Sequence, residues 1–291
     1  MRLFVFLTIL IVFFLSIGYN EATRLTDEEN KILQAECGKT VNTSDAEGIS
    51  AERAKAPWLI NYRNGNLSCS GVLISRKHFV TARHCLTKNI TTPSSSNKDC
   101  TSEKDFLLQI SNLELEIDSP MTTKAEARLL EFCKESTPDY LDLSVITLPT
   151  DLQLSDTINP VCVSSELEIV PSKKEILISG NAISVGSEVS VSSFGFPKSS
   201  FKSGKPNSRA GRVFSTEKLQ IGLPTAEKNA HEANDWHIAG TRAGDSGSGA
   251  VVQKSGRYFL AGIVSRKNTK SLLMDISSQA AKICTIFNIC P

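Results

Sequence analysis

Ser68-Cys69-Ser70-Gly71-Val72-Leu73-Ile74-Ser75-Arg76-Lys77-His78-Phe79-Val80-Thr81-Ala82-Arg83-His84-Cys85 holds two short apolar runs, Gly71 to Ile74 and Phe79 to Ala82, split by a polar cluster. Runs of this length bounded by turn residues read as strands. The second ends at His84-Cys85, where a cysteine can fix the turn beside an imidazole. Working outward, the same pattern recurs at Leu59 to Tyr62, Phe106 to Ile110, Leu143 to Leu148, Glu188 to Phe196, Ala250 to Gln253 and Tyr258 to Ser265, separated by Gly, Ser, Asn and Pro clusters. Many short strands with regular turn signals predict an all-β barrel or sandwich. Helical periodicity is confined to Lys124 to Phe132 and Ile276 to Phe287, with a short helix-like run from Leu25 to Leu33. The mixed stretch Ser165 to Ser187 is the expected join between two halves. No internal repeat is present, and the longest biased tract is Thr91 to Ser96.

The chain has 291 residues, 40% hydrophobic and 22% charged, an ordinary globular composition. Its 32 basic and 31 acidic side chains nearly balance, so charge supplies no reason to expect nucleic acid or an anionic membrane as partner. At the amino terminus Arg2 precedes an apolar stretch from Leu3 to Ile17, interrupted by Thr8 and Ser16, with small residues at Ser16 and Gly18 before Tyr19. Residues 1–18 thus read as a secretory signal; the alternative, an uncleaved anchor, needs roughly 20 apolar residues to span a bilayer. Tyr19 to about Gly48 is polar and reads as a lead-in unable to bury a core of its own.

All eight cysteines (Cys37, Cys69, Cys85, Cys100, Cys133, Cys162, Cys284 and Cys290) follow the signal. An even number in an exported chain implies a disulfide framework, with 105 pairings open by counting alone. No CxxC pair suggests zinc. Three Asn-x-Ser/Thr sequons, at Asn42, Asn66 and Asn89, fit the exported setting.

Chemistry concentrates in Gly244-Asp245-Ser246-Gly247-Ser248-Gly249. Flanking glycines let the backbone approach a carbonyl closely, and the amides of Gly244 and Ser246 could form an oxyanion hole. Ser246 needs a base, and only His78, His84, His231 and His237 are available. His84 closes an apolar run, and Asp142 opens another, Asp142-Leu143-Ser144-Val145-Ile146-Thr147-Leu148, where low dielectric strengthens a hydrogen bond to imidazole. His78 beside Lys77 reads as a surface residue at a strand entry, and His231 and His237 as solvated loop residues. The latter two stand six positions apart, where an HExxH zinc site needs four. An α/β-hydrolase is excluded, because Ser248 occupies the second glycine of Gly-x-Ser-x-Gly and no histidine follows Ser246.

In order, Ser68 to Ser75, Val80 to Cys85, Asp142 to Ile146, Asn159-Pro160-Val161-Cys162 and Gly244 to Gly247 resemble the chymotrypsin-like, or trypsin-family, serine proteases, over about Pro57 to Ile276. Cys37-Gly38-Lys39 and Ile283 to Pro291 look more narrowly like the trypsin-like proteins of nematodes. The resemblance implies two six-stranded antiparallel β-barrels with a short C-terminal helix, about 48–165 and 166–291, after a lead-in at 19–47. It implies a secreted, monomeric endopeptidase acting on protein or peptide substrates, without metal or cofactor. His84 would be the base, Asp142 its orienting acid, Ser246 the nucleophile, and Gly244 with Ser246 the oxyanion hole. The same likeness pairs Cys69 with Cys85 and Cys37 with Cys162, leaving Cys100 with Cys133 and Cys284 with Cys290.

The chain departs from that family at three places. Where members are cut to expose an Ile or Val amino terminus that pairs with the acid before the nucleophile, this chain reads Ser44-Asp45-Ala46-Glu47-Gly48, so Asp245 must find another cation, stay hydrated, or leave the oxyanion hole unformed. At the substrate pocket Gly240 stands at the base, Arg242 replaces a cysteine whose partner is missing too, and Ser265-Arg266-Lys267 replaces Ser-Trp-Gly. Arg242 and Lys267 would favour acidic substrate residues or block the pocket. Arg83 replaces a small residue beside His84, and the segment from His84 to Asp142 is longer than usual, its insertion, with Cys100 and Cys133 inside it, being expected to form a stapled loop at the rim. The alternative to an enzyme is a catalytically silent homologue that binds or regulates.

Overall fold

A computed structural model describes residues 23–40, 54–87, 106–117, 120–130, 142–165, 169–170, 183–184, 188–195, 201–202, 205–206, 213–222, 235–238, 244–267 and 270–291. The expected signal, the Ser44 to Gly48 junction, Cys100, Cys133, His231, Gly240 and Arg242 lie outside the described residues.

In chain order the elements are α1 (Asp27–Glu36), β1 (Leu59–Asn64), β2 (Leu67–Leu73), β3 (His78–Thr81), α2 (His84–Thr87), β4 (Phe106–Glu116), β5 (Pro120–Leu129) and β6 (Ser144–Thr147). Then follow β7 (Ile169–Val170), β8 (Ile183–Ser184), β9 (Glu188–Gly195), β10 (Phe201–Lys202), β11 (Lys205–Pro206), β12 (Val213–Gly222), β13 (Asp235–Ile238), β14 (Gly249–Lys254), β15 (Arg257–Lys267), β16 (Lys270–Asp275) and α3 (Ser277–Phe287). The fold is mostly β. The first six strands form a closed antiparallel barrel in the order β1-β2-β3-β6-β5-β4. Its interior is packed with Ile60, Tyr62, Leu73, Phe79, Leu115, Ala127 and Ile146, which the strand register puts on one face and which are all inaccessible to solvent. In the later half β9 pairs with β12 and β14, β15 with β14 and β16, and β13 with β12 and β16, all antiparallel.

One sequence expectation is corrected here. The stretch at Lys124 is strand β5, not helix: Ala125, Ala127 and Leu129 are buried while Lys124, Glu126 and Arg128 are not, a period of two. Pairing with β4 and β6 overrides the helix preference of Ala, Glu, Arg and Leu. Over its described part the stretch between His84 and Asp142 is a long hairpin of the barrel, while Cys100 and Cys133, which would staple the expected loop, lie outside the described residues.

The lead-in is part of this core. Thr26 and Glu29 form a reciprocal cap on α1, with Glu29 N donating to Thr26 Oγ1 at 3.2 Å and Thr26 N to the Glu29 carboxylate at 2.6 Å. Leu25, Leu33 and Cys37 then join the buried cluster, with α3 contributing Ile283 and Phe287. Leu25 N donates to the Phe287 carbonyl at 2.9 Å, Asn288 Nδ2 to the Leu25 carbonyl at 3.1 Å, and Arg257 Nε to the Cys37 carbonyl at 2.9 Å. Disulfides join Cys37 to Cys162 and Cys284 to Cys290.

His78 is the second correction, since it is fully buried and not at the surface. The lead-in and α3 cover it: its ring lies 5.1 Å from that of Phe287, and Nε2 is 2.7 Å from the Thr23 carbonyl. A carbonyl only accepts, so Nε2 carries the proton and Nδ1 accepts from the Ser75 hydroxyl at 2.7 Å. Burial, partly opposed by the Thr23 bond, pushes the imidazole down to about 3. An unfolded histidine titrates near about 6.5, so stability is fully present above that pH and is lost as pH falls toward 3, because the unfolded chain alone gains the proton. We therefore expect the melting temperature to fall on acidification from pH 6.5 to 4, and His78→Gln to flatten that slope at a lower starting value. Equal slopes for the two proteins in thermal melts would refute this assignment.

Candidate active site

The barrel brings two distant residues together by register. β3 and β6 are antiparallel with Thr81 opposite Ser144, so the chain leaving β3 and the chain entering β6 meet at one end of the barrel. His84 lies three residues past Thr81 and Asp142 two before Ser144. Their side chains meet there, with His84 Nδ1 at 2.6 Å from Asp142 Oδ2 and the His84 amide donating to Asp142 Oδ1 at 2.8 Å. A third donor, the hydroxyl of Ser265 from β15, also reaches Asp142 Oδ2. The hydroxyl of Ser265, a residue expected at the substrate pocket, is buried against the acid.

Burial raises the Asp142 carboxyl, but the hydrogen bond from His84, the His84 charge, the Ser265 hydroxyl and the His84 amide together hold it below its ordinary value. Asp142 is therefore an anion at neutral pH and an acceptor only. His84 Nδ1 must then carry the proton, which leaves Nε2 as the basic nitrogen. Among the described residues Nε2 has no hydrogen-bond partner, and the side chain is 40% exposed. The imidazole thus offers a lone pair to whatever enters beside it.

Ser246 sits on the neighbouring loop, which two strands clamp. Ser70 of β2 donates from its amide to the Ser246 carbonyl at 2.9 Å and from its hydroxyl to the Gly244 carbonyl at 3.2 Å. Gly247 N donates to the Val264 carbonyl of β15 at 2.8 Å, and Val264 N to the Ser248 carbonyl at 2.8 Å. Gly244 and Gly247 take φ of 93° and 86°, a region closed to most side chains. A β-carbon at Gly247 would also overlap the Ser70 carbonyl and the Thr81 hydroxyl. The Cys69 to Cys85 disulfide ties this same β2 to the His84 turn. The structure joins His84 to Asp142 directly; His84 and Ser246 are linked through β2 and its disulfide, without a hydrogen bond between them. Such contacts often tighten only when a substrate is present.

Asp245 is buried at 7% exposure. Lys267 ends β15, and its side chain lies outside the described residues, as does the pairing of Cys100 with Cys133.

The chain matches the family model described as Trypsin over residues 45–277. It is 23% identical over 262 residues to Melanization protease 1 of Drosophila melanogaster, covering 79% of this chain and 60% of that protein. It is 28% identical over 118 residues to Ovochymase of Halocynthia roretzi, covering 40% of this chain and 7% of that protein. The chain thus spans 60% and 7% of the length of these two relatives. The family match covers most of the chain and includes His84, Asp142 and Ser246: the protein belongs to the trypsin family.

Proposed function

We propose that the protein is a secreted serine endopeptidase that hydrolyses peptide bonds through Ser246, His84 and Asp142. Trypsin-family proteases act on protein substrates. The observation that carries the reading is the His84 to Asp142 pair, which leaves Nε2 as an open base beside the clamped Ser246 loop. In the reaction Ser246 Oγ attacks the scissile carbonyl while His84 Nε2 takes its proton. The tetrahedral oxyanion is stabilised by the amides of Gly244 and Ser246. His84 returns the proton to the leaving amine, an acyl-enzyme remains on Ser246, and water hydrolyses it by the same proton route in reverse. Asp142 stays ionised and holds the imidazole tautomer.

The strand pairings of the later half support a second barrel, over about 166–291, following the first at about 48–165. The signal over 1–18 and the lead-in over 19–47 belong to the same reading, as does monomeric secretion. No helix among the described residues is long and apolar enough to cross a membrane. Gly240, Ser265 and Lys267 would frame the substrate pocket, with Arg242 and Lys267 favouring acidic side chains. The narrower likeness to nematode proteins rests on the terminal motifs alone.

A second reading, a silent homologue that binds or regulates, is favoured by the absence of a basic cleavage residue and of Ile-Val at Ser44 to Gly48 and by the altered pocket residues Gly240, Arg242 and Lys267. A fluorophosphonate probe separates the two. We expect the purified secreted protein to be labelled and Ser246→Ala to lose labelling entirely. Absence of labelling in folded wild-type protein would overturn the enzyme reading.

A further inference from the structure

We infer that Asn66 is an N-glycosylation site at the mouth of the candidate active site, and that its glycan restricts access for large substrates while sparing small ones. The second half of this inference rests on the proposed protease activity; the first does not.

Asn66-Leu67-Ser68 is a sequon, and Asn66 is exposed in the two-residue turn joining β1 to β2. Gly65 supplies the positive φ of 58° that such a tight turn needs, so Asn66 is held at the tip and not folded back. A glycan here meets no packing obstacle, since the chain is modified before it folds and the exposed asparagine projects into solvent afterwards.

The position of the tip gives the modification its consequence. β2 runs antiparallel to β3, with Val72 opposite Val80, so the start of β2 lies at the same end of the barrel as the close of β3 and the entry of β6. That end carries His84 and Asp142. Asn64, two residues before Asn66, donates from Nδ2 to the Leu86 carbonyl in the His84 turn at 3.4 Å. On the other arm, Cys69 bonds to Cys85 and the Ser70 amide holds the Ser246 carbonyl. Two extended residues span only about 7 Å, so a glycan on Asn66 starts within a few residues of the groups proposed for catalysis. A bulky, hydrated branch there obstructs a folded protein substrate and leaves a small ester or fluorophosphonate free to enter.

The test is to secrete the full chain from a eukaryotic host as wild type, Asn66→Gln and Ser68→Ala, and to map occupancy by mass spectrometry before and after enzymatic deglycosylation. We expect a glycan on the Asn66 peptide of the wild type alone. We further expect fluorophosphonate labelling rates equal within about twofold across the three proteins, with hydrolysis of a protein substrate at least about fivefold faster in the two variants and in deglycosylated wild type. An unmodified Asn66 in the secreted wild type overturns the assignment. An occupied Asn66 with unchanged protein hydrolysis overturns the access role. If no form is labelled by the probe, the protease reading and the access role both fall, while mass spectrometry still decides the glycan. Ser68→Ala keeps the asparagine, so agreement of the two variants separates loss of the glycan from damage to the turn.

Discussion

Replacing Asp142 by Asn is expected to lower kcat by about 10,000-fold while the protein stays folded. Asp142 accepts three hydrogen bonds in the structure, from the His84 amide, His84 Nδ1 and the Ser265 hydroxyl. An amide offers one acceptor oxygen where the carboxylate offers two. If that oxygen faces the His84 amide, the new NH2 group faces Nδ1 and forces the proton onto Nε2, so the imidazole can no longer accept from Ser246. If the amide flips, the His84 amide loses its acceptor and the turn loosens. The first arrangement removes the base, the second disturbs the turn that positions it, and in both the missing negative charge no longer stabilises the imidazolium. Circular dichroism and melting establish that the variant is folded; steady-state kinetics and probe labelling then read the loss. A loss of under tenfold in folded protein would mean that Asp142 does not orient the base.

Gly247→Ala is expected to abolish labelling and to cost about 3 kcal/mol or more in stability, a drop in melting temperature of roughly 6–12 °C. Two independent penalties act at this position: a φ of 86° that alanine adopts poorly, and overlap of its β-carbon with the Ser70 carbonyl and Thr81 hydroxyl. Those two groups are held in turn, because Thr81 Oγ1 donates to the Ser70 carbonyl at 2.8 Å and lies 2.8 Å from the buried Tyr62 hydroxyl. The loop must therefore move away from β2, which breaks the Ser70 to Ser246 hydrogen bond and carries the serine away from the His84 turn. Gly256→Ala is the control: its φ is 75°, but a β-carbon there meets nothing within 4 Å, so it shares the strain without the overlap. Equal loss of labelling in both variants would remove the clamp argument.

Much of the first barrel is legible along the chain, because its strands are short, apolar and closed off by turn residues. The runs Leu59 to Tyr62, Gly71 to Ile74, Phe79 to Ala82, Phe106 to Ile110 and Leu143 to Leu148 each fall on a strand. β5 is misread because Ala125-Glu126-Ala127-Arg128-Leu129-Leu130 satisfies helical preference as well as alternation, and only its neighbours β4 and β6 choose between them. β12, β13 and β16 escape notice for a related reason, since sequences such as Val213 to Gly222 mix charge into a strand whose identity is set by pairing.

Local chemistry explains which residues could be singled out. A histidine closing one apolar run, an aspartate opening another and a serine among glycines are visible without any fold, since each is unusual in its own neighbourhood. The meeting of the histidine and the aspartate is a matter of register: Thr81 opposite Ser144 brings positions 58 residues apart within hydrogen-bond distance. The same holds for Ser265, whose hydroxyl finds Asp142 across 123 residues, and for His78, which looks like a surface residue beside Lys77 until Thr23 and Phe287 close over it. Residue type and short-range pattern are properties of a few neighbouring positions. Burial, tautomer and acid–base partner depend on which distant backbone arrives at the same place, and that is set by strand pairing and disulfides acting over the whole chain.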